Sequence, residues 1–369
     1  MKDEQIFSLA LTRIPGLGLI GACHLVKTLG SATAVFQYRK ELPDMVSGVT
    51  EKLVTALDNA EAFRRAEQEV LFADKNHIQC ITFNDEDYPS RLRECEDAPL
   101  VLFYRGNTSL NALRVVAMVG TRHSTSYGED LCSSFVRDLK ELCPDILIVS
   151  GLAYGIDIHA HRSALLQGFS TVGVLAHGLD RIYPASHRKT AIAMLGQGGL
   201  LTEFMSGTNP DRQNFVKRNR IVAGMSDATI VVESAAKGGA LITAELAGGY
   251  HRDCFAFPGK TTDIYSVGCN NLIRSNQASL ILSAEDFVDS MGWKSTGKKE
   301  IVQRQLFPDL TEEEKSVLLL LQQTDEGMHI NSLVIAMNCP INKMSALLFE
   351  MEMKGVVRAM AGGVYRSIC

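Results

Sequence analysis

The chain has 369 residues, of which 46% are apolar and 21% charged, and a formal net charge of −5. That length supports a large core and more than one domain. The mild acidic balance excludes a protein that is basic all over, so any polyanion site must be a local patch.

The nine cysteines are dispersed and odd in number, with no Cys-x-x-Cys pair. This fits thiols in a reducing compartment rather than zinc ligands or a disulfide framework. No apolar run approaches the ~18–20 residues needed to cross a bilayer, and no signal-peptide pattern opens the chain. The expectation is a cytoplasmic protein with no membrane partner.

Residues 1–75 read as helical. An amphipathic run from Asp3 to Leu11 meets Ile14-Pro15-Gly16-Leu17-Gly18, and a second helix covers Leu19 to Leu29. Pro-Gly-x-Gly ends one helix and opens the next within a short turn. A fainter echo, Val46-Ser47-Gly48-Val49, precedes a helical stretch from Glu51 to Lys75. The pattern resembles a helix-hairpin-helix or SAM-like unit, or else a tight turn in a packing module, since few cations surround it.

From 76 to 289 short apolar runs alternate with helix-length segments. Ile78–Phe83 and Leu100–Tyr104 lead into strands at Val115–Val119, Ile146–Ser150, Thr171–Leu175, Gly199–Thr202, Thr229–Val232, Cys254–Phe257 and Leu280–Leu282. Near-continuous apolar strands separated by helices predict an α/β fold with a doubly wound, mostly parallel, extended Rossmann-like sheet. Ligands of such sheets bind beyond the carboxyl ends of the strands. Residues 290–310 read as a linker. A helix from Thr311, helices at Asn331–Met337 and Asn342–Lys354, and a hairpin turning at Gly362-Gly363 predict a winged-helix domain over 311–369.

Phe215-Val216-Lys217-Arg218-Asn219-Arg220 places a ring and three cations in six residues, just before the apolar Ile221-Val222-Ala223. A charge run is ordinarily a solvated helix face. Here the ring offers a surface for base stacking and the cations offer partners for phosphate. Arg122, after Val119-Gly120-Thr121, is a second candidate, because an arginine at a strand tip can fork two phosphate oxygens; the alternative is a surface ion pair. Glycines at Ser150-Gly151 and Lys237-Gly238-Gly239 leave backbone open to a ligand.

Several enzyme signatures are missing. There is no Gly-x-x-x-x-Gly-Lys-Ser/Thr, no strict Gly-x-Gly-x-x-Gly after the first strand and no Gly-x-Ser-x-Gly. Asp157, His159 and His161 do not share one helix face, which disfavours a metal site. Glu203 and Glu233 end strands as catalytic carboxylates would, or else cap a helix or pair with arginines.

These segments together resemble the DNA-processing protein A (DprA, also called Smf) family. The matching blocks run in order: Val119 to Arg122, Ser150 to Asp157, Gly178 to Pro184, Leu201 to Glu203, Phe215 to Met225, Val231 to Glu233, Leu241 to Ala244, Phe257 to Gly259 and Gly268 to Ile273. The resemblance implies a bacterial single-stranded DNA-binding protein that protects incoming DNA and helps load the RecA recombinase in natural transformation and recombination. It implies a homodimer through the Rossmann-like domain, no catalysis, no metal and no cofactor. Carried over by position, the DNA- or phosphate-binding set is Gly120, Thr121, Arg122, Gly151, Phe215, Lys217, Arg218, Asn219, Arg220, Lys237, Gly238 and Gly239. The sequence departs from the family pattern in three places: Phe215 is followed by Val216 where the family has proline, Gly238-Gly239-Ala240 replaces a Ser-Gly-Ser-type loop, and the acidic segment Gly196 to Asn214 differs in detail. The alternative reading is a phosphoribohydrolase-like nucleotide enzyme, for which Lys237 to Thr243 with Glu245 is a partial echo.

Overall fold

The computed structural model describes residues 2–293 and 310–367, except 323, 325–326 and 361. Residues 294–309 of the expected linker lie outside the described residues. The chain divides into two compact units, Met1–Lys294 and Ser295–Cys369.

The first unit opens with α1 (Lys2–Leu11), α2 (Leu19–Leu29), α3 (Ala32–Gln37), α4 (Leu42–Met45), α5 (Glu51–Leu57) and α6 (Ala60–Lys75). Side chains of Ser31, Thr50 and Asn59 accept backbone N–H groups at the starts of α3, α5 and α6. Each thereby satisfies donors that a helix start leaves unpaired. The two glycine turns noted in the sequence close alike, with Leu17 N–H donating to Ile14 C=O (3.2 Å) and Val49 N–H to Val46 C=O (3.3 Å). Phe7, Phe36 and Phe63 hold the helices together, with ring centroids 4.9–5.7 Å apart.

A nine-stranded sheet follows, built from β1 (Gln79–Thr82), β2 (Val101–Gly106), β3 (Val115–Val119), β4 (Leu147–Ser150), β5 (Ser170–Val174), β6 (Gly198–Thr202), β7 (Ala228–Val231), β8 (Asp253–Ala256) and β9 (Ser279–Leu280). The spatial order is β1-β2-β6-β5-β4-β3-β7-β8-β9. β1 and β2 join antiparallel at one edge, and the pairings from β6 to β9 are parallel. The intervening helices are α7 (Ser90–Arg93), α8 (Ser126–Leu142), α9 (Ile156–Leu166), α10 (Arg188–Gly196), α11 (Arg212–Gly224), α12 (Gly239–Gly249), α13 (Val267–Arg274) and α14 (Ala284–Ser290).

β3 shows why the strands are apolar throughout. Val115, Ala117 and Val119 enter the core that also holds the N-terminal helices, while Val116 and Met118 pack with Phe135 and Val136 of α8. Alternate residues face opposite sides, so a strand covered on both faces needs no polar position.

The second unit contains α15 (Glu312–Leu321), β10 (Met328–His329), α16 (Ile330–Met337), α17 (Ile341–Met353), β11 (Val357–Met360) and β12 (Val364–Ser367), with strand order β10-β12-β11. Thr311 starts α15 in a capping box: its hydroxyl accepts from Glu314 N–H (3.3 Å), and the Glu314 carboxylate accepts from Thr311 N–H (2.7 Å). Val317, Leu321, Leu333, Met344, Leu348 and Met351 form its core. The three helices and the hairpin follow the expected winged-helix order.

Candidate nucleic-acid interface

From β3 the chain moves outward through β4, β5 and β6, then returns to place β7 on the other side of β3. The β3–β7 junction is therefore the point where the winding reverses, and the crevice beyond it is the natural ligand position of an open α/β sheet. An open cleft of about 1150 Å³ lies there. Its walls are Gly120 to His123 after β3, Ser234 to Gly239 after β7, one face of α11, and Asn271 and Ser275 from α13 and its end.

The cationic run lies within α11, which begins at Arg212 and not at the run itself. A helix turns about 100° per residue, so four consecutive side chains cannot share one face. Arg212, Phe215, Val216, Arg218 and Asn219 line the cleft. Lys217 and Arg220 do not. Arg220 is buried, donates to the Asp97 carbonyl and pairs with Glu203, and Lys217 is exposed with its charge acting on that same Glu203. Burial raises the Glu203 carboxyl, and the Arg220 cation opposes the rise. The expected four-residue phosphate patch is thus split between two faces.

Arg218 lines the cleft but is only 4% exposed. Its guanidinium donates to the carbonyls of Gly151 and Val174 beneath the tips of β4 and β5, and its Nε donates to Asn219 Oδ1 at 3.1 Å. Burial lowers this guanidinium to about 10, with the Asp157 carboxylate working in the opposite direction. A Cβ at Gly151 would overlap the Arg218 guanidinium and force it to shift. Asp157 is buried, accepts from the Ala153 amide (3.3 Å), and has its carboxyl raised by burial against the pull of Arg218.

Arg122 stands exposed at the mouth, its guanidinium carbon 4.8 Å from the Phe215 ring centroid. Cation–π contact at that distance holds both groups over the strand tips. Thr121 is pinned by its amide to the Glu233 carbonyl (2.7 Å), and Gly120 sits where a Cβ would meet Ile156 and the Glu233 carbonyl. On the opposite wall Lys237, Gly238 and Gly239 are exposed. α12 starts at Gly239 without a side-chain cap, which leaves its first N–H groups for a ligand. Asn219 Nδ2 donates to Gly239 C=O (3.2 Å) and ties α11 to this corner. Behind Phe215 a small recess is lined by Tyr154, His177, Tyr183 and Pro184.

The other polar residues singled out in the sequence have protein partners. Glu233 accepts the Thr125 amide (2.9 Å) and hydroxyl (2.6 Å) at the start of α8. His159 Nε2 lies 3.2 Å from Glu129. His161 is buried with Nδ1 2.7 Å from the Thr171 hydroxyl, which itself donates to Ile148 C=O. That hydroxyl must accept from His161, so the ring carries its proton on Nδ1; burial lowers its pKa to about 3. Asp157, His159 and His161 therefore turn to three different partners, and no group able to hold a metal ion occurs among the described residues. Arg212 and Asn271 line the cleft without having been singled out. Arg212 lies three residues before Phe215, so helical spacing could have flagged it once the helix start was known.

Comparison with known proteins follows the same outline. The family model of DNA recombination-mediator protein A matches residues 79–292, and a DprA winged-helix model matches residues 304–363. Protein Smf of Synechocystis sp. is 34% identical over 301 residues, covering 79% of this chain and 73% of that protein. The crystal structure of DNA processing protein A from Streptococcus pneumoniae aligns at a TM-score of 0.59 and 31% identity, covering 73% of this chain and 97% of that one. DNA processing protein A from Helicobacter pylori, whose structure is described as showing a single-stranded DNA binding mode, aligns at 0.53 and 28% identity, covering 58% of this chain and 96% of that one. The chain belongs to the DprA/Smf family of DNA-processing proteins.

Proposed function

We propose that this chain binds single-stranded DNA in the β3–β7 cleft. The observation that carries the reading is the composition of the walls. Arg122, Arg212 and Lys237 face the cleft beside the uncapped start of α12, with the Phe215 ring between the cationic mouth and the recess. Cations and amides suit backbone phosphate, and a half-buried ring on the cleft wall suits an unstacked base. A duplex hides its base faces, so the ring favours a single strand. Arg218, Gly151 and Asn219 act as the frame that fixes this surface, and Lys217 and Arg220 lie outside it.

The site is a grip rather than a reaction centre. Glu203 and Glu233 are engaged by Arg220 and Thr125, and Asp157 is buried under Arg218. Glu245 is the exposed carboxylate of the cleft wall. A phosphoribohydrolase-like activity would release base from nucleoside monophosphates and lose that release in Glu245→Gln.

Within the family's role in DNA processing, we infer that the bound strand is protected and passed to the RecA recombinase in the cytoplasm, by a homodimer assembled through the sheet domain. Family membership supports the hand-over. Among the described residues β9 ends the sheet, and the exposed Leu280 and Leu282 beside it support the dimer, because an apolar sheet edge is a surface that a partner strand or copy can cover.

A gel shift with single- and double-stranded oligonucleotides at two salt concentrations tests the binding. The expected result is preference for the single strand, with log K falling by about 0.7 per log unit of salt for each phosphate neutralised. Equal binding of duplex, or binding indifferent to salt, would overturn it.

A further inference from the structure

In the second unit the cations on the helices are paired with carboxylates, whereas the hairpin carries two arginines. In the winged-helix architecture the third helix enters the DNA major groove. Here that helix, α17, exposes Ile341, Phe349 and Met353 together with Glu350 and Glu352. Its Lys343 is bound to Glu313 (2.6 Å), and Lys354 at its end is bound to the buried Glu314 (2.6 Å). Apolar groups and carboxylates are a poor match for a polyanion.

The hairpin shows the reverse. β11 and β12 pair antiparallel with Arg358 directly opposite Arg366. Opposed residues leave the same face of a hairpin with Cβ atoms roughly 5 Å apart. Val357, on the other face, is buried, and both arginines are exposed. Among the described residues neither arginine has a carboxylate at ion-pair distance, and Glu352 close by accepts the Ala359 amide (3.1 Å). Like charges held opposite each other work against the hairpin. An anion between them removes that repulsion, and two guanidinium forks match the oxygens of a phosphodiester.

We propose that Arg358 and Arg366 form a second nucleic-acid contact, in which the wing rather than α17 holds backbone phosphate of a single DNA strand. The choice of DNA as the polyanion rests on the reading of the cleft; the residues are independent of it. Backbone contacts carry no base information, so the wing would add affinity without sequence preference.

The test uses the full-length chain, a long fluorescent oligothymidylate and anisotropy across a salt series. The proteins are wild type, R358A/R366A, R358K/R366K, Arg122→Ala, and Arg122→Ala combined with R358A/R366A. The wing double variant is expected to bind roughly tenfold more weakly near ~0.15 M salt, with a salt slope smaller by about 0.7, for the one phosphate held between the two arginines. Its thermal midpoint should not fall, since a repulsion has been removed, and R358K/R366K should recover most of the affinity. The combined variant should bind more weakly than either parent. Wild-type affinity and slope in R358A/R366A, with loss in Arg122→Ala, would overturn the wing contact and leave the cleft standing. Loss in R358A/R366A with no effect of Arg122→Ala would uphold the wing and overturn the cleft. A wild-type chain that does not bind the oligonucleotide would overturn both.

Discussion

Replacing Arg218 by alanine should damage stability before it damages DNA contact. The side chain supplies charged donors to the buried Gly151 and Val174 carbonyls and is the main cation acting on buried Asp157. A hydrogen bond to a charged group is worth about 1.5–3 kcal/mol, and a buried charge stripped of its partner costs about 3–5 kcal/mol. These terms overlap, so the expected loss is about 3–5 kcal/mol. With a urea dependence of about 3 kcal/mol per molar or more for a unit of this size, the midpoint should fall by roughly 1 M. Trp293 is the only tryptophan of the chain and packs edge-on to Phe287 in the first unit, ring centroids 5.5 Å apart. Its emission during urea unfolding of the full chain therefore reports that unit. Arg218→Lys keeps the charge but cannot reproduce the planar fork, so it should fall between wild type and alanine. If Arg218→Ala unfolds at the wild-type midpoint and loses only DNA affinity, Arg218 is a ligand residue and the split of the cationic run is wrong.

Other outcomes follow from the same geometry. Phe215→Ala should cost about 1–3 kcal/mol of oligonucleotide binding by anisotropy, with the salt slope unchanged, because stacking releases no counterions; a changed slope would mean that the ring serves only to place Arg122. His161 holds its pKa at about 3 against an ordinary 6.5. Below 6.5 the unfolded chain takes up a proton that the folded chain refuses, so stability should fall as pH drops from about 6.5 towards 3. His161→Asn should remove up to one proton from that slope in urea melts at stepped pH, while an unchanged slope would place the acid sensitivity elsewhere, for example at His177, which burial also lowers.

The sheet was largely legible because strands covered on both faces must be apolar. Val115–Val119 emerged with the expected bounds, and β4 to β8 shifted by a residue at most at either end. The hairpin at Gly362-Gly363 was equally plain; the front was legible as helical, but Glu51–Lys75 divides at Asn59, which caps α6, and the short α3 and α4 were not foreseen. The site was harder to read. A run such as Lys217-Arg218-Asn219-Arg220 looks exposed, and only the return of the Gly151 carbonyl, 67 residues earlier in the chain, shows that Arg218 is turned inward. Glu203 and Glu233 were open between catalysis and pairing, because strand-end carboxylates look alike until their neighbours are known; Arg220 and Thr125 decide them. Arg212 went unremarked because the start of α11 precedes the apolar stretch that signals the helix.

The most direct measurement sets two exposed cations against each other. Salt-dependent binding of a fluorescent oligothymidylate is compared for wild type, Arg122→Ala and Lys217→Ala. The cleft geometry predicts that Arg122→Ala lowers the affinity and reduces the salt slope by about 0.7, while Lys217→Ala leaves the slope unchanged. A full loss of slope in Lys217→Ala, with wild-type binding by Arg122→Ala, would contradict the assignment of the β3–β7 cleft as the DNA site.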